Sequence, residues 1–226
     1  MKRKVGNLLM ITGAVLVSLA LLLFLHNEWE AKRAETQASQ VLEQMREQFL
    51  AENEEKENSG KSGHEGLAQE DAESEVGQDT SETENRKVMV VDGREYMGWL
   101  SIPAIGLELP VMAEWSYAGL KTAPGRYSGS LETGNLVIAG HNYARHFSPI
   151  KWLDTGTEVD ITDASQTVWH YQVSALEKLN PDQVQDMTEP SETDDWNLTL
   201  FTCTTGGQMR YAVRCKAVGM ERRDMP

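Results

Sequence analysis

Residues Val5 to Leu25 form a run of 21 that is apolar apart from the mildly polar Asn7, Thr12 and Ser18. A helix rises 1.5 Å per residue, so about 20 such residues cross a hydrocarbon core of about 30 Å. A run this long and this uniform is not an amphipathic core helix. Lys2, Arg3 and Lys4 precede it. Basic flanks stay in the cytoplasm, so the expectation is a single-pass membrane anchor at 5–25, a cytoplasmic tail at 1–4, and the bulk of the chain outside the cell. The alternative is a cleaved signal peptide. The run is long for that, and Leu25-His26-Asn27-Glu28-Trp29 offers no small-x-small cleavage site.

Beyond the run the texture changes twice. Residues 26–50 are rich in Glu, Ala, Gln, Lys and Arg and predict a helical stalk. Val41, Met45 and Phe49 lie four apart on one stripe of it, facing a membrane surface, a partner or nothing. Residues 51–86 carry 12 acids against 3 bases and almost no aliphatic side chains. Such a segment cannot bury enough apolar surface to offset its ordering entropy, which predicts a disordered acidic linker. Over the whole chain 35 acids face 21 bases, a net charge of −14. That balance argues against a nucleic-acid partner, which would call for a basic face.

From Lys87 to the end, short β-type runs alternate with Gly, Pro, Asp and Asn. Strands are expected at Tyr96–Ile102, Leu107–Met112, Asn135–Gly140, Glu158–Thr162, Thr167–Leu176, Asn197–Cys203 and Gln208–Val218, with Val88–Val91 as an edge. Short helices are expected at Phe147–Leu153 and at Pro181–Met187, the latter capped by Asn180. The pattern predicts a mostly β domain over 87–226, closed as a barrel or stacked as a sandwich.

The chain has two cysteines, Cys203 and Cys215, too few for a disulfide scaffold and without zinc-ligand spacing. Strand alternation puts Thr199, Phe201 and Cys203 on one face, and Met209, Tyr211, Val213 and Cys215 on one face of the last strand. Three segments carry chemistry: a strand ending in Gly140 followed by His141, a strand ending in Cys203 before a Gly turn, and Arg210 just after that turn. A thiolate is a nucleophile for acyl transfer. An imidazole can protonate a leaving amine and deprotonate an incoming one. A guanidinium, which keeps its proton, can donate to an oxyanion. Against this, a lone cysteine is more often a small buried hydrophobe. His26, His64, His146 and His170 are poorer candidates than His141, and Arg214 rivals Arg210.

Thr199-Leu200-Phe201-Thr202-Cys203 resembles the T-L-x-T-C signature of the sortase family. Val137-Ile138-Ala139-Gly140-His141-Asn142 resembles the segment holding the sortase histidine, and Arg210-Tyr211-Ala212-Val213-Arg214 the strand holding its arginine. Gly98-Trp99-Leu100-Ser101-Ile102-Pro103 and Leu109-Pro110-Val111 resemble the entry to that domain. The resemblance runs from about Val88 to Val218. It implies a closed eight-stranded sortase-type β-barrel with short helices, and His141, Cys203 and Arg210 as the catalytic set of a cysteine transpeptidase. An LPxTG-like sorting signal on a surface protein or pilin would be cleaved through a thioacyl intermediate. The acyl group would pass to an amine of a peptidoglycan precursor or a pilin, at the outer face of a Gram-positive-type cell.

By the same resemblance Thr202 and Asn142 are candidate substrate contacts, with a structural hydroxyl as the other reading of Thr202. No metal ligand set and no cofactor is expected, and the scattered acids give no argument for a calcium site. Gly140-His141-Asn142 and the compact core share features with classes B to E, and no class is assigned. No Asp-Pro-Trp lid motif stands near Ala113–Tyr127. The competing enzyme class, an L,D-transpeptidase, places His beside Cys in sequence, unlike His141 and Cys203. The competing non-enzyme is an extracellular β-domain on a membrane-anchored stalk, used for adhesion or scaffolding.

Overall fold

The computed structural model describes residues 2–60, 87–190 and 195–222. One helix, α1, runs from Lys2 to Gly60. An 18-residue window within it has a mean hydropathy of 2.4 and no buried residue, so the helix is long and apolar enough to cross a membrane. No proline interrupts it, and no glycine falls between Gly13 and Gly60. The expectation of a disordered linker from residue 51 is corrected over its first ten positions, where α1 continues to Gly60. A composition of Glu, Ala, Asn and Lys that cannot build a core is still helix-compatible when a preceding helix supplies the nucleus. Residues 61–86, the remainder of the expected linker, lie outside the described residues.

Among the described residues nine strands follow. They are β1 (Met89–Val91), β2 (Arg94–Ile102), β3 (Leu107–Met112), β4 (Gly125–Ser128), β5 (Leu136–Gly140), β6 (Glu158–Asp163), β7 (Thr167–Leu179), β8 (Leu198–Cys203) and β9 (Arg210–Arg222). They hydrogen-bond in the order β1-β2-β3-β4-β5-β8-β9-β7-β6, and β6 pairs back onto β2. The sheet therefore closes into a ring of eight strands, with β1 outside it on the first residues of β2. Among the described strands, only β3–β4 and β5–β8 are parallel pairs. Leu100, Ile138, Ile161, Leu198, Leu200 and Val213 pack into one buried cluster contributed by strands all round the ring.

Closure depends on Gly98. It sits at an irregularity in β2 with φ +150°, and a Cβ there would stand 2.0 Å from the Thr162 carbonyl oxygen of β6. Any side chain forces the two strands apart where they pair.

All seven expected strands and the expected edge strand are present, with small shifts of their ends. The strand β4 was not expected: it is four residues long and contains one strong β-former, Tyr127. Ser148–Trp152 is a 3-10 helix within the expected Phe147–Leu153. The second helix, α2, spans only Val184–Thr188, so the expected start at Pro181 and cap at Asn180 are corrected. The Gln183 side chain accepts from the Asn180 backbone N–H at 2.8 Å, and the chain turns before the helix begins.

The stripe on α1 has a target. Val41, Leu42, Met45 and Phe49 are buried against Met89, Val91, Tyr96, Trp99, Met112, Ala123 and Ala164. Phe49 and Trp99 meet with ring centroids 5.1 Å apart. Burying each large apolar side chain contributes about 1.5–3 kcal/mol. Exposed pairs such as Lys87–Glu52 at 2.7 Å contribute about 0–1 kcal/mol each, so the apolar stripe holds the helix on the ring.

His146 is fully buried, and neither ring nitrogen has a hydrogen-bond partner. Burial lowers its pKa from 6.5 to about 4, with the His141 backbone offsetting part of the effect. Between those values the unfolded chain binds more protons, so stability is complete above about pH 6.5 and falls as the pH drops towards 4. Urea denaturation should find the protein about 2 kcal/mol less stable at pH 5 than at pH 7.5 through this residue, and His146→Phe should remove that share of the slope. An unchanged slope would contradict the assignment. Gly98→Val should cost about 3 kcal/mol or more in the same measurement, whereas a loss below about 1 kcal/mol would show that the β2–β6 seam tolerates a side chain.

Candidate active site

Alternation along three neighbouring strands decides which side chains meet. In β5, Leu136 and Ile138 enter the central cluster while Val137 and Ala139 join an outer apolar layer with Phe201 and Ala212. In β8, Leu198 and Leu200 point to the centre and Phe201 to that layer. In β9, Val213 and Cys215 point inward and Ala212 outward. A period of two puts Cys203 and Arg210 on the outer side, and His141 too, one residue past the end of β5.

Register then brings them to one place. The parallel pair β5–β8 aligns Gly140 with Thr202, so His141 and Cys203 are the next residues of two adjacent strand ends. The antiparallel pair β8–β9 sets Cys203 directly opposite Arg210. Directly opposed residues share a face with Cβ atoms about 4.5–5.5 Å apart. All three are partly exposed.

Gly140 makes the first strand end possible. A Cβ at this position would lie 2.1 Å from the Phe147 ring, which the chain folds back over the strand. The Phe147 N–H donates to the His141 carbonyl at 3.2 Å, closing the turn that carries the histidine. Thr202 is 1% exposed and its hydroxyl donates to the Gly140 carbonyl at 2.9 Å, tying the two strand ends together. Asn142 Nδ2 donates to the Cys203 carbonyl at 2.9 Å, a second tie.

The imidazole of His141 has a defined setting. Its Nδ1 accepts from the Asn142 backbone N–H at 3.1 Å, which leaves the proton of the neutral ring on Nε2. Tyr143 packs against it, ring centroids 4.0 Å apart. Burial lowers the His141 pKa below 6.5; the Glu30 carboxylate opposes that shift and Lys121 adds to it. Glu30 belongs to α1, and Ala31 and Ala34 pack on Tyr143. Nothing in the local sequence pointed to Glu30 or Tyr143, because their proximity arises from helix docking.

The guanidinium of Arg210 is turned onto its own loop, where Nη1 donates to the carbonyls of Gly207 at 3.0 Å and Met209 at 3.1 Å. That loop is a compact turn, held by Thr204 N–H on the Met209 carbonyl at 2.9 Å and Met209 N–H on Thr204 Oγ1 at 3.1 Å. The rival Arg214 is buried elsewhere in the same outer layer. It donates to Thr199 Oγ1 at 2.8 Å and the Met187 carbonyl at 3.1 Å, pairs with Glu177 and lies over Trp196. It fastens α2 to β8. Cys215 is fully buried and its thiol is pushed up to about 12 by desolvation, so it holds its proton at neutral pH. Both cysteines are free.

Beside the three side chains the outer layer is apolar, with Phe201, Leu179 and Met187 as a floor and Leu120 and Tyr127 packed on it. Trp115 and Tyr127 meet at a tilt of 33° with centroids 5.2 Å apart, and Tyr127 meets Phe201 edge-on at 5.2 Å. A cleft of about 900 Å³ lies elsewhere, over Met97, Ala113, Arg126, Ser128 and Asp163, and none of the three residues lines it.

The fold and sequence have known relatives. The sortase domain family model matches residues 100–218, which is 119 of the 226 positions. Sortase A of Bacillus anthracis is 29% identical over 136 residues, covering 57% of this chain and 63% of that protein, so the chain spans under two thirds of that relative. Sortase A from Corynebacterium diphtheriae is 26% identical with a TM-score of 0.50, over 58% of this chain and 64% of that one. A Clostridium perfringens Sortase D5 transpeptidase shares the fold at a TM-score of 0.55 and 21% identity, over 81% of this chain and 99% of that one. With His141, Cys203 and Arg210 all inside the matched span, the chain belongs to the sortase family.

Proposed function

We propose that this chain is a membrane-anchored cysteine transpeptidase, with 87–226 as its catalytic domain and the ring of strands as the closed eight-stranded barrel of its family. The observation that carries the reading is the meeting of three strand ends on one outer face, with a partly exposed thiol, imidazole and guanidinium in register. In this reading the apolar run of α1 spans the bilayer with Lys2, Arg3 and Lys4 inside and the domain outside the cell, as the basic flank supports.

Cys203 as thiolate attacks the carbonyl carbon of a peptide bond in an LPxTG-like sorting signal on a surface protein or pilin. The carbonyl oxygen takes the negative charge, and Arg210 donates hydrogen bonds to it after leaving its own loop carbonyls. The C–N bond then breaks. The amine nitrogen leaves with a proton from the His141 imidazolium, and a thioester remains on Cys203. An incoming amine, from a peptidoglycan precursor or a pilin, loses its proton to the neutral imidazole and attacks the thioester. A new amide forms and the thiolate returns. The step balances without a cofactor. Thr202 and Asn142 hold the two strand ends together, and Asn142, partly exposed beside Cys203, is the better placed of the two candidate substrate contacts.

Because burial lowers the His141 pKa, the imidazolium is a minor species at neutral pH but a stronger acid when present. Glu30 supports the charged form. NMR titration should therefore place the His141 pKa below 6.5 and lower still in Glu30→Gln; an upward move in that variant would contradict the electrostatic assignment.

A quenched sorting-signal peptide with a glycine nucleophile tests the activity. Cys203→Ala should abolish transfer, and Arg210→Ala should reduce kcat by about 10²–10³-fold, the usual cost of one oxyanion donor. Cys215→Ala, in a folded protein, should stay within about threefold of the parent, since its thiol is protonated and on the opposite face. No transfer by the parent protein would leave a non-catalytic surface domain as the better reading, and full activity in Cys203→Ala would mean that another group carries the acyl.

A further inference from the structure

The helix that reads as anchor is also the helix that docks on the ring. From the apolar run to the docked stripe it is one element, with no proline and no glycine between Gly13 and Gly60. Its contacts come in a definite order. Glu28 pairs with Arg145 at 3.6 Å, Ala31 and Ala34 pack on Tyr143, and Glu35 pairs with Arg145 at 3.2 Å. Val41 to Phe49 follow on their apolar seat, and Asn53 accepts from Gln166 last, at 3.1 Å. The first part of the domain that the helix meets after leaving the apolar run is thus the turn carrying His141.

Distances follow from helix geometry. Glu30 lies five residues past Leu25, about 7.5 Å along the axis, and a tilt of up to about 40° shortens that height by only about a quarter. Trp29 marks the boundary independently: it is 57% exposed, with Arg33 over its ring at 5.6 Å, the kind of amphipathic side chain that sits at a membrane surface. Connectivity alone would not fix this height. The 26 residues from 61 to 86 have a contour of about 90 Å, so docking, not chain length, sets it.

We propose that α1 is a rigid spacer that seats the site at a fixed height of about 10 Å beyond the hydrocarbon edge, at the level of the headgroup surface, and that the enzyme selects substrates by the distance between their cleavage point and the bilayer. The proposal rests on the transpeptidase and anchor readings above. Peptides held in the same membrane by a short spacer are favoured. Those whose cleavage point stands far from the surface are discriminated against even when their recognition sequence is the same.

The test uses the full chain in phosphatidylcholine–phosphatidylglycerol vesicles. Lipid-tailed sorting-signal peptides carry Gly/Ser spacers of about 3, 12 and 30 residues, with root-mean-square lengths of about 10, 20 and 30 Å. The parent should cut the shortest at least about tenfold faster than the longest, through effective concentration at its own height. Inserting seven helix-forming residues after Asn27 adds about 10 Å and nearly two whole turns, so the docked face is kept. In that variant the optimum should move to the middle spacer, while a peptide without a tail is cut by both proteins within about twofold. Met45→Asp with Phe49→Asp should flatten the spacer dependence. Equal rates on all three spacers in the parent, or an optimum that ignores the insertion, would overturn the proposal. Energy transfer from a label on Cys203 to headgroup acceptors decides it without activity, with a closest approach of about 10–20 Å expected and more than about 40 Å contradicting it. If the untailed peptide is not cut at all, the transpeptidase reading fails while the distance measurement still judges the spacer.

Discussion

The parallel pairing of β5 with β8 is the constraint on which the rest depends. Two strands far apart in sequence run side by side in the same direction and end together, and each is followed or finished by one of the candidate catalytic side chains. Parallel neighbours cannot be joined by a tight turn, so β6, β7 and α2 fill the crossover and complete the ring. The seam has two small requirements at its end. Gly140 leaves room for Phe147, and Thr202 turns its hydroxyl onto the Gly140 carbonyl rather than towards solvent. A slip by one residue would send Cys203 inward and Thr202 outward, exchanging the thiol for a hydroxyl at the surface.

The same alternation separates the two cysteines by environment rather than by sequence. Cys203 ends its strand on the outer face, whereas Cys215 is sealed among apolar side chains that keep it protonated. Arg210 and Arg214 are separated in a similar way. Both face outward, but Arg214 is consumed by carbonyls, a hydroxyl and a carboxylate that hold α2 in place. Arg210 spends its donors only on its own exposed loop. A donor held that lightly can be redirected to a developing oxyanion.

Much of this was legible in the sequence, for physical reasons. Strand alternation is local, so the faces of Cys203 and Cys215 could be read from a few residues. The Gly140-His141 and Thr202-Cys203 pairs stood out because they end strands. What stayed hidden is non-local. The stripe Val41, Met45 and Phe49 was visible, but its seat is assembled from Met89, Trp99 and Met112, which are adjacent only after the ring has closed. Glu30 lies more than a hundred residues from His141, and only that docking makes them neighbours. The short β4 pairs through three residues and carries too little propensity to register. The helical start of the acidic segment was missed because the same composition serves a disordered chain and a helix extended from an existing one.

The central claim is that the thiol at residue 203, and no other group, carries an acyl group from a peptide. Intact-mass spectrometry of the protein trapped during turnover with a sorting-signal peptide and no added amine tests it most directly. The account predicts a single acyl adduct that maps to Cys203 and disappears when an amine is supplied. An adduct on Cys215, or an unmodified protein under conditions where the peptide is consumed, would contradict it.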